Sequence, residues 1–371
     1  MLVGVAKETK TAERRVALTP GGVRELVASG HGVMVERGAG TGSRYADADY
    51  EAAGARIVGT DAVWAESELL LKVKEPTPSE HRRLHPGLTL FTFLHLAADP
   101  ELTQALIDSG ATAIAYETIE DEHGRLPLLA PMSEVAGRLA TQAGAYFLQS
   151  QLGGSGVLIG GVPGVDPARV LVVGGGAVGT QAARVAVGMG ARVTVLERSP
   201  ARIRELEAYF DTRARVLMSD AGSVAEQVAD SDVVIGAVLI PGARAPRLIP
   251  RSMLSDMRPG TVVVDVAIDQ GGCVETAVPT SHADPVYEVD GVVHYCVSNM
   301  PGAVPVTSTR ALTNATRPYV QRLADLGVEA ALDGDPGLAK GLNVSGGEIV
   351  CQPVAEAFAA ARGVERTAVG A

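Results

Sequence analysis

Short apolar runs alternate with stretches of helical periodicity along most of the 371-residue chain. Residues 69–73, 88–93, 170–173, 193–196, 233–238 and 262–266 are brief and rich in β-branched side chains. Gly, Pro or charge bounds each of them. Such runs read as strands buried on both faces, because a half-exposed strand would alternate apolar with polar. The segments between them carry helix signals. Thr19-Pro20 is a cap followed by a first-turn proline, and Gly30 is the matching stop. Ser133 and Glu134 are read as opening a longer helix that runs to about Leu152. Strand and helix in alternation imply βαβ units and a parallel sheet. The glycines from Gly153 to Gly164 are expected to mark a domain seam, with a second seam near Asn299-Met300-Pro301-Gly302. From Thr307 onward the pattern reads as helical again.

Composition narrows the class. Apolar residues make up 46% and charged residues 20%, as in ordinary globular proteins, and the length predicts two domains or one large one. Aromatics are only 4%, so aliphatic side chains must fill the core. A net charge of −11 disfavours nucleic acid and anionic membranes as partners. The start lacks the pattern of a signal peptide, and no run of about 18 apolar residues predicts a membrane span. Cys273, Cys296 and Cys351 have neither disulfide-framework nor zinc spacing. Reduced thiols, a cytoplasmic location and no metal are expected.

One motif carries a specific chemistry. The strand Arg169–Val173 runs into Gly174-Gly175-Gly176-Ala177-Val178-Gly179 and then a helix, and the next strand ends at Glu197. Gly174 permits the tight turn, Gly176 lets backbone approach a pyrophosphate, and Gly179 allows close helix–strand packing. The amides opening the helix face the phosphates. Glu197 can accept ribose hydroxyls and would repel a 2′-phosphate, which favours NAD. Arg198 and Arg202 temper this, because nearby arginines accommodate that phosphate.

Hydride transfer to a 2-oxo or 2-imino acid also needs a cation for the carboxylate and an acid/base. Lys72 and Lys74 both lie in an otherwise interior run, where an ammonium needs an anion. His95 follows an apolar strand. Its ordinary pKa suits proton transfer, but a structural role fits its apolar setting as well. Asp269 lies just past a buried strand and before Gly271-Gly272, whereas Asp265 inside that strand reads as structural. Arg14 or Arg15 can fork onto a carboxylate.

These residues fall into a recognisable pattern. Arg15-Val16-Ala17-Leu18-Thr19-Pro20, Leu71-Lys72-Val73-Lys74-Glu75-Pro76 and Phe93-Leu94-His95-Leu96-Ala97 resemble the N-terminal motifs of alanine dehydrogenases and of the related transhydrogenase α subunits. Leu129-Ala130-Pro131-Met132-Ser133-Glu134, Gly160-Gly161-Val162-Pro163-Gly164-Val165, Asp265–Gly272 and Ala311–Thr316 continue the resemblance over nearly the whole chain. It implies two Rossmann-like, doubly wound parallel-sheet domains with a deep cleft between them. Residues 1–130 and 305–371 would form the substrate domain and 131–304 the NAD domain. The implied activity is reversible, NAD-dependent oxidative deamination of L-alanine to pyruvate and ammonia by a homohexamer. The resemblance favours Arg15 over Arg14 and Lys74 over Lys72 for substrate binding, with His95 and Asp269 catalytic. It places Ser133, Gly174, Gly176, Ala177, Val178, Gly179, Glu197, Arg202, Ser219, Val238, Leu239, Val266, Asp269, Val297, Asn299 and Met300 beside the dinucleotide. Three features depart from the family pattern: Glu197 stands where Asp is usual, Arg310 replaces an expected aromatic residue, and the stretch Tyr146-Phe147-Leu148-Gln149 differs from the usual continuation. A paralogue acting on another small amino acid, or a transhydrogenase-type nucleotide-binding component, is the alternative.

Overall fold

The computed structural model describes residues 1–238 and 245–363. The chain divides into two compact units, Met1–Met132 with Val304–Ala371, and Ser133–Ala303. In the first unit the strands are β1 (Leu2–Val5), β2 (Gly32–Glu36), β3 (Arg56–Val58), β4 (Leu69–Leu71), β5 (Thr89–Thr92) and β6 (Thr112–Ala115). The second contains β7 (Arg169–Val173), β8 (Arg192–Glu197), β9 (Arg215–Met218), β10 (Val233–Gly236), β11 (Val262–Asp265), β12 (Val286–Val289) and β13 (Val292–Tyr295). The chain then returns to the first unit as β14 (Leu342–Ser345) and β15 (Glu348–Ile349).

Both sheets are doubly wound. The first runs β15-β14-β6-β5-β4-β1-β2-β3 and the second β12-β13-β11-β10-β7-β8-β9. Read from β3 and from β9, the parallel strands follow the same 3-2-1-4-5-6 order, which has a topological switch between strands 1 and 4. The switch points are therefore β1/β4 and β7/β10. Antiparallel β12, β14 and β15 close one edge of each sheet.

Burial on both faces accounts for the continuous apolar runs. In β7, Val170 and Val172 pack into one core cluster and Leu171 and Val173 into another across the sheet. Val233 and Ile235 of β10 oppose Val234 in the same way. The first unit packs Leu70, Leu90 and Ala113 from adjacent strands around Trp64, Leu102 and Leu106.

Three sequence expectations need correction. The helix read as starting at Ser133 spans Ala130–Phe147, because Pro131 suits a first turn and carries the start back. It stops short of Leu152 because Gln149 is extended (φ −68°, ψ 134°). The Gly153–Gly164 run is not a seam: it lies inside the second unit, where a side chain on Gly154 would overlap the backbone at Leu148. The segment after Thr307 is not wholly helical, since β14 and β15 form a hairpin turned by Gly346 (φ +58°) and Gly347 (φ +81°).

Candidate active site

In the second unit, the proposed nucleotide residues gather at the carboxyl edge of the sheet, where doubly wound folds take ligands. Gly174 follows β7 with φ +102°, a conformation that favours glycine, and its N–H donates to the Leu196 carbonyl at 2.8 Å. A side chain at Gly179 would overlap the Gly174 carbonyl oxygen, so the helix Ala177–Gly188 packs directly under the loop. Gly176 differs: a Cβ there would meet no atom within 4 Å. That open position, ahead of the first-turn amides of Ala177 and Val178, is a cradle that a phosphate fits.

Glu197 ends β8 with its carboxylate already oriented. Oε2 accepts from Gly175 N–H at 2.9 Å, and Oε1 from the Arg198 and Ser199 N–H groups at 2.8 and 2.9 Å. Arg202 braces the same loop. Its Nε donates to Gly175 O at 2.9 Å, Nη2 to the Thr180 hydroxyl at 2.8 Å, and Nη1 pairs with Glu205. Ser219, beyond β9, donates its N–H to Glu197 O at 2.9 Å. Val238 follows β10, with its side chain at the Gly174 turn. Leu239 lies outside the described residues. Ser133 sits in the first turn of the helix Ala130–Phe147, which packs against the helix after the glycine loop: a side chain on Gly137 would overlap the Val178 carbonyl oxygen.

Beyond β11 and β13 the remaining candidates converge. Val266 opens the short 3-10 segment Val266–Gln270, which contains Asp269. The Asn299 N–H reaches Asp269 Oδ2 at 3.4 Å, and Asn299 itself has φ +57°. Its neighbours Val297 and Met300 are buried. Asp265 is structural: it accepts from the Ala267, Cys273 and Val274 N–H groups at 2.9–3.0 Å, and burial lifts its carboxyl above the ordinary value.

The first unit places its candidates at the equivalent edge. Lys74 follows β4 and His95 follows the neighbouring β5. Lys72 is the structural lysine. It is fully buried, 3.3 Å from both Glu8 and Glu80. Burial works against its ammonium, but these two carboxylates prevail and hold its pKa above the ordinary value. Glu8 also accepts from the backbone N–H groups of Val73 (2.6 Å) and Lys74 (3.4 Å), so it sets the path of the chain into Lys74. Arg15 is buried and gripped bidentately by Glu13, Nε–Oε1 2.7 Å and Nη2–Oε2 2.5 Å; Nη1 lies 3.1 Å from Met132 Sδ.

His95 stands in the left-handed region (φ 52°, ψ 33°). The Glu117 carboxylate holds that turn, accepting the His95 N–H at 2.6 Å and the Leu94 N–H at 3.2 Å. Phe93 stacks near the imidazole, centroids 5.9 Å apart. Glu75 Oε2 lies 3.4 Å from His95 Nδ1, and its Oε1 pairs with Lys10. Burial opposes the Glu75 charge, but His95, Lys74 and Lys10 together hold the carboxyl well below the usual range. Sequence reasoning assigned no role to Glu8, Glu13, Glu75 or Glu117. The one available signal was the place of Glu75 beside Lys74 in the strand-end motif. Arg310, the departure noted above, donates from Nε to the Tyr45 hydroxyl at 3.2 Å.

Comparison with known proteins meets this geometry. Residues 4–136 match the family model described as alanine dehydrogenase/PNT, N-terminal domain, and residues 140–352 match its C-terminal domain. The chain belongs to the alanine dehydrogenase/PNT family. Within that family, it is 59% identical to an alanine dehydrogenase of Halomonas elongata, over 96% of this chain and 97% of that one. It is 53% identical to an alanine dehydrogenase of Bacillus subtilis, over 96% and 94%. A solved L-alanine dehydrogenase superposes with a TM-score of 0.94 at 53% identity, covering 96% of this chain and 99% of that one. A transhydrogenase structure from Sinorhizobium meliloti gives 0.83 at 30% identity, covering 94% and 100%. Among the described residues, no helix is long and apolar enough to cross a membrane and no side-chain group is arranged to hold a metal.

Proposed function

We propose that the chain catalyses the reversible reaction of L-alanine, NAD⁺ and water to pyruvate, ammonium, NADH and a proton. The observation that carries this reading is local. Adjacent strands β4 and β5 deliver Lys74 and His95 to one sheet edge around a single carboxylate, Glu75. The whole-length similarity to alanine dehydrogenases, closer than that to the transhydrogenase, supports the same choice.

The dinucleotide is held by Gly174–Gly179, Glu197, Ser219, Val238, Val266 and the Val297–Met300 turn, with Ser133 contributing. Bound there, NAD supplies the hydride acceptor. Glu197 Oε2 accepts only one backbone bond, which leaves about one acceptor site for a ribose hydroxyl. Arg202 is committed to Gly175, Thr180 and Glu205, which favours NAD over NADP. Residues 133–303 form the nucleotide domain and the other unit the substrate domain.

Arg15 and Lys74 hold the substrate carboxylate. The bidentate Glu13 grip fixes the orientation of the Arg15 guanidinium. His95 accepts a proton from the water that attacks the imine and returns it as ammonia departs. Asp269 assists that transfer. The protein works in the cytoplasm as a homohexamer.

The test is absorbance at 340 nm with L-alanine and NAD or NADP in parallel. A rise with NAD, and none with D-alanine, is expected. His95→Ala should lower kcat/KM by roughly 10²–10⁴-fold with the fold intact. Near wild-type turnover in that variant would remove His95 from the mechanism.

A further inference from the structure

Glu75 presents an unresolved polar balance. One carboxylate oxygen is taken by Lys10. The other, Oε2, is sealed from solvent and has no aligned hydrogen bond. A buried acceptor without a donor is costly, so a donor within reach should be drawn to it. Nδ1 of His95 is 3.4 Å away, within reach of a hydrogen bond. Hydrogen bonds of this kind are often long in a ligand-free enzyme and tighten when substrate binds.

The rest of His95 is already constrained. Glu117 fixes its backbone in an uncommon conformation and Phe93 flanks the ring. The remaining freedom is rotation of the imidazole and the choice of tautomer. Glu75 is only 13% exposed while His95 is 45% exposed, so one ring nitrogen faces a dry carboxylate and the other can face substrate.

We propose that Glu75 is a positioning residue for His95: Oε2 accepts the Nδ1 proton and thereby leaves Nε2 to exchange a proton with water or the carbinolamine. The inference rests on the acid/base role given to His95 above. The proton on Nδ1 stays there through the cycle. The exchanged proton enters and leaves at Nε2, and Glu75 remains a carboxylate. Such a partner orients the ring and stabilises the imidazolium, as the aspartate does in serine protease triads.

Three variants separate this from a bracing role for Glu75 through Lys10: Glu75→Gln, Glu75→Asp and Lys10→Met. The first readout needs no substrate. Diethyl pyrocarbonate modifies the uncharged imidazole, and mass spectrometry of the His95 peptide gives the rate at that residue. At pH 6, Glu75→Gln should raise this rate severalfold, because the imidazolium has lost its counter-charge. Glu75→Asp, which keeps the charge, should return it toward wild type, and Lys10→Met should leave it unchanged. The second readout is alanine turnover. Glu75→Gln should lower kcat on the order of 10- to 100-fold with KM nearly constant, and move the acid limb of kcat/KM to lower pH. Unchanged modification rates and pH profile, with only a lower melting temperature, would overturn the proposal. Absent alanine turnover in the wild-type protein, beside the expected modification rates, would overturn the catalytic reading while leaving the Glu75–His95 contact standing.

Discussion

Two glycines of one loop, three residues apart, do different work, and substitution separates them. Gly179 has no room for a methyl group, whereas Gly176 faces open space. Gly179→Ala should therefore destabilise the folded protein by about 1–3 kcal/mol through overpacking. Gly176→Ala should cost less than about 1 kcal/mol yet weaken NADH binding, since a methyl would occupy the space meant for pyrophosphate. Urea denaturation and NADH fluorescence titration, run on both variants, check the pair. Equal loss of stability in both would mean that the open space at Gly176 is not a ligand cradle. At this scale the sequence was readable where residue type is tied to backbone geometry, as in Gly174, Gly176 and Gly179. It was opaque for Glu13, Glu75 and Glu117. An acid in a loop carries no periodicity, and Glu117 meets His95 only after the chain has crossed from β5 to β6.

The end of β4 decides which of two neighbouring lysines is buried. Lys72 continues inward from Leu71, where Glu8 and Glu80 meet it, while Lys74 emerges two residues later. Lys72→Met should cost about 3–5 kcal/mol, because it leaves two carboxylates buried without a counter-charge. The urea midpoint reads that loss, and a change below about 1 kcal/mol would show that water already reaches the pair. Among elements, the buried strands and the Thr19-capped helix were legible because apolar runs and caps are local signals. The β14–β15 hairpin was not. Its strands are four and two residues long, too short to outweigh the helical periodicity around them, and Gly346-Gly347 was the only sign of it.

On the scale of the whole molecule, the alternation of strand and helix was enough to predict doubly wound sheets, but not their antiparallel edges, which depend on contacts distant in sequence. The thiols report on the integrity of the core. Cys273 and Cys296 are fully buried, and burial pushes the Cys296 thiol up to about 11. Cys351 is half-buried. Native protein should therefore react with a thiol reagent at Cys351 alone on the minute timescale, and at all three cysteines in urea. Fast labelling of Cys273 or Cys296 in the native state would reveal opening of the second unit's core.

The return of the chain to its first sheet sets an order of events during synthesis. β6 leaves the ribosome early, but its outer neighbour β14 is made more than two hundred residues later. At roughly 5–20 residues per second, the β6 edge waits on the order of tens of seconds. Throughout that interval it is an unpaired template that another nascent chain can join. The whole second unit is made in the meantime, as one uninterrupted segment. Chaperone dependence of the yield in cells should thus track the wait for β14. A circular permutant that begins at Val304 and brings β14 out before β1 should remove it.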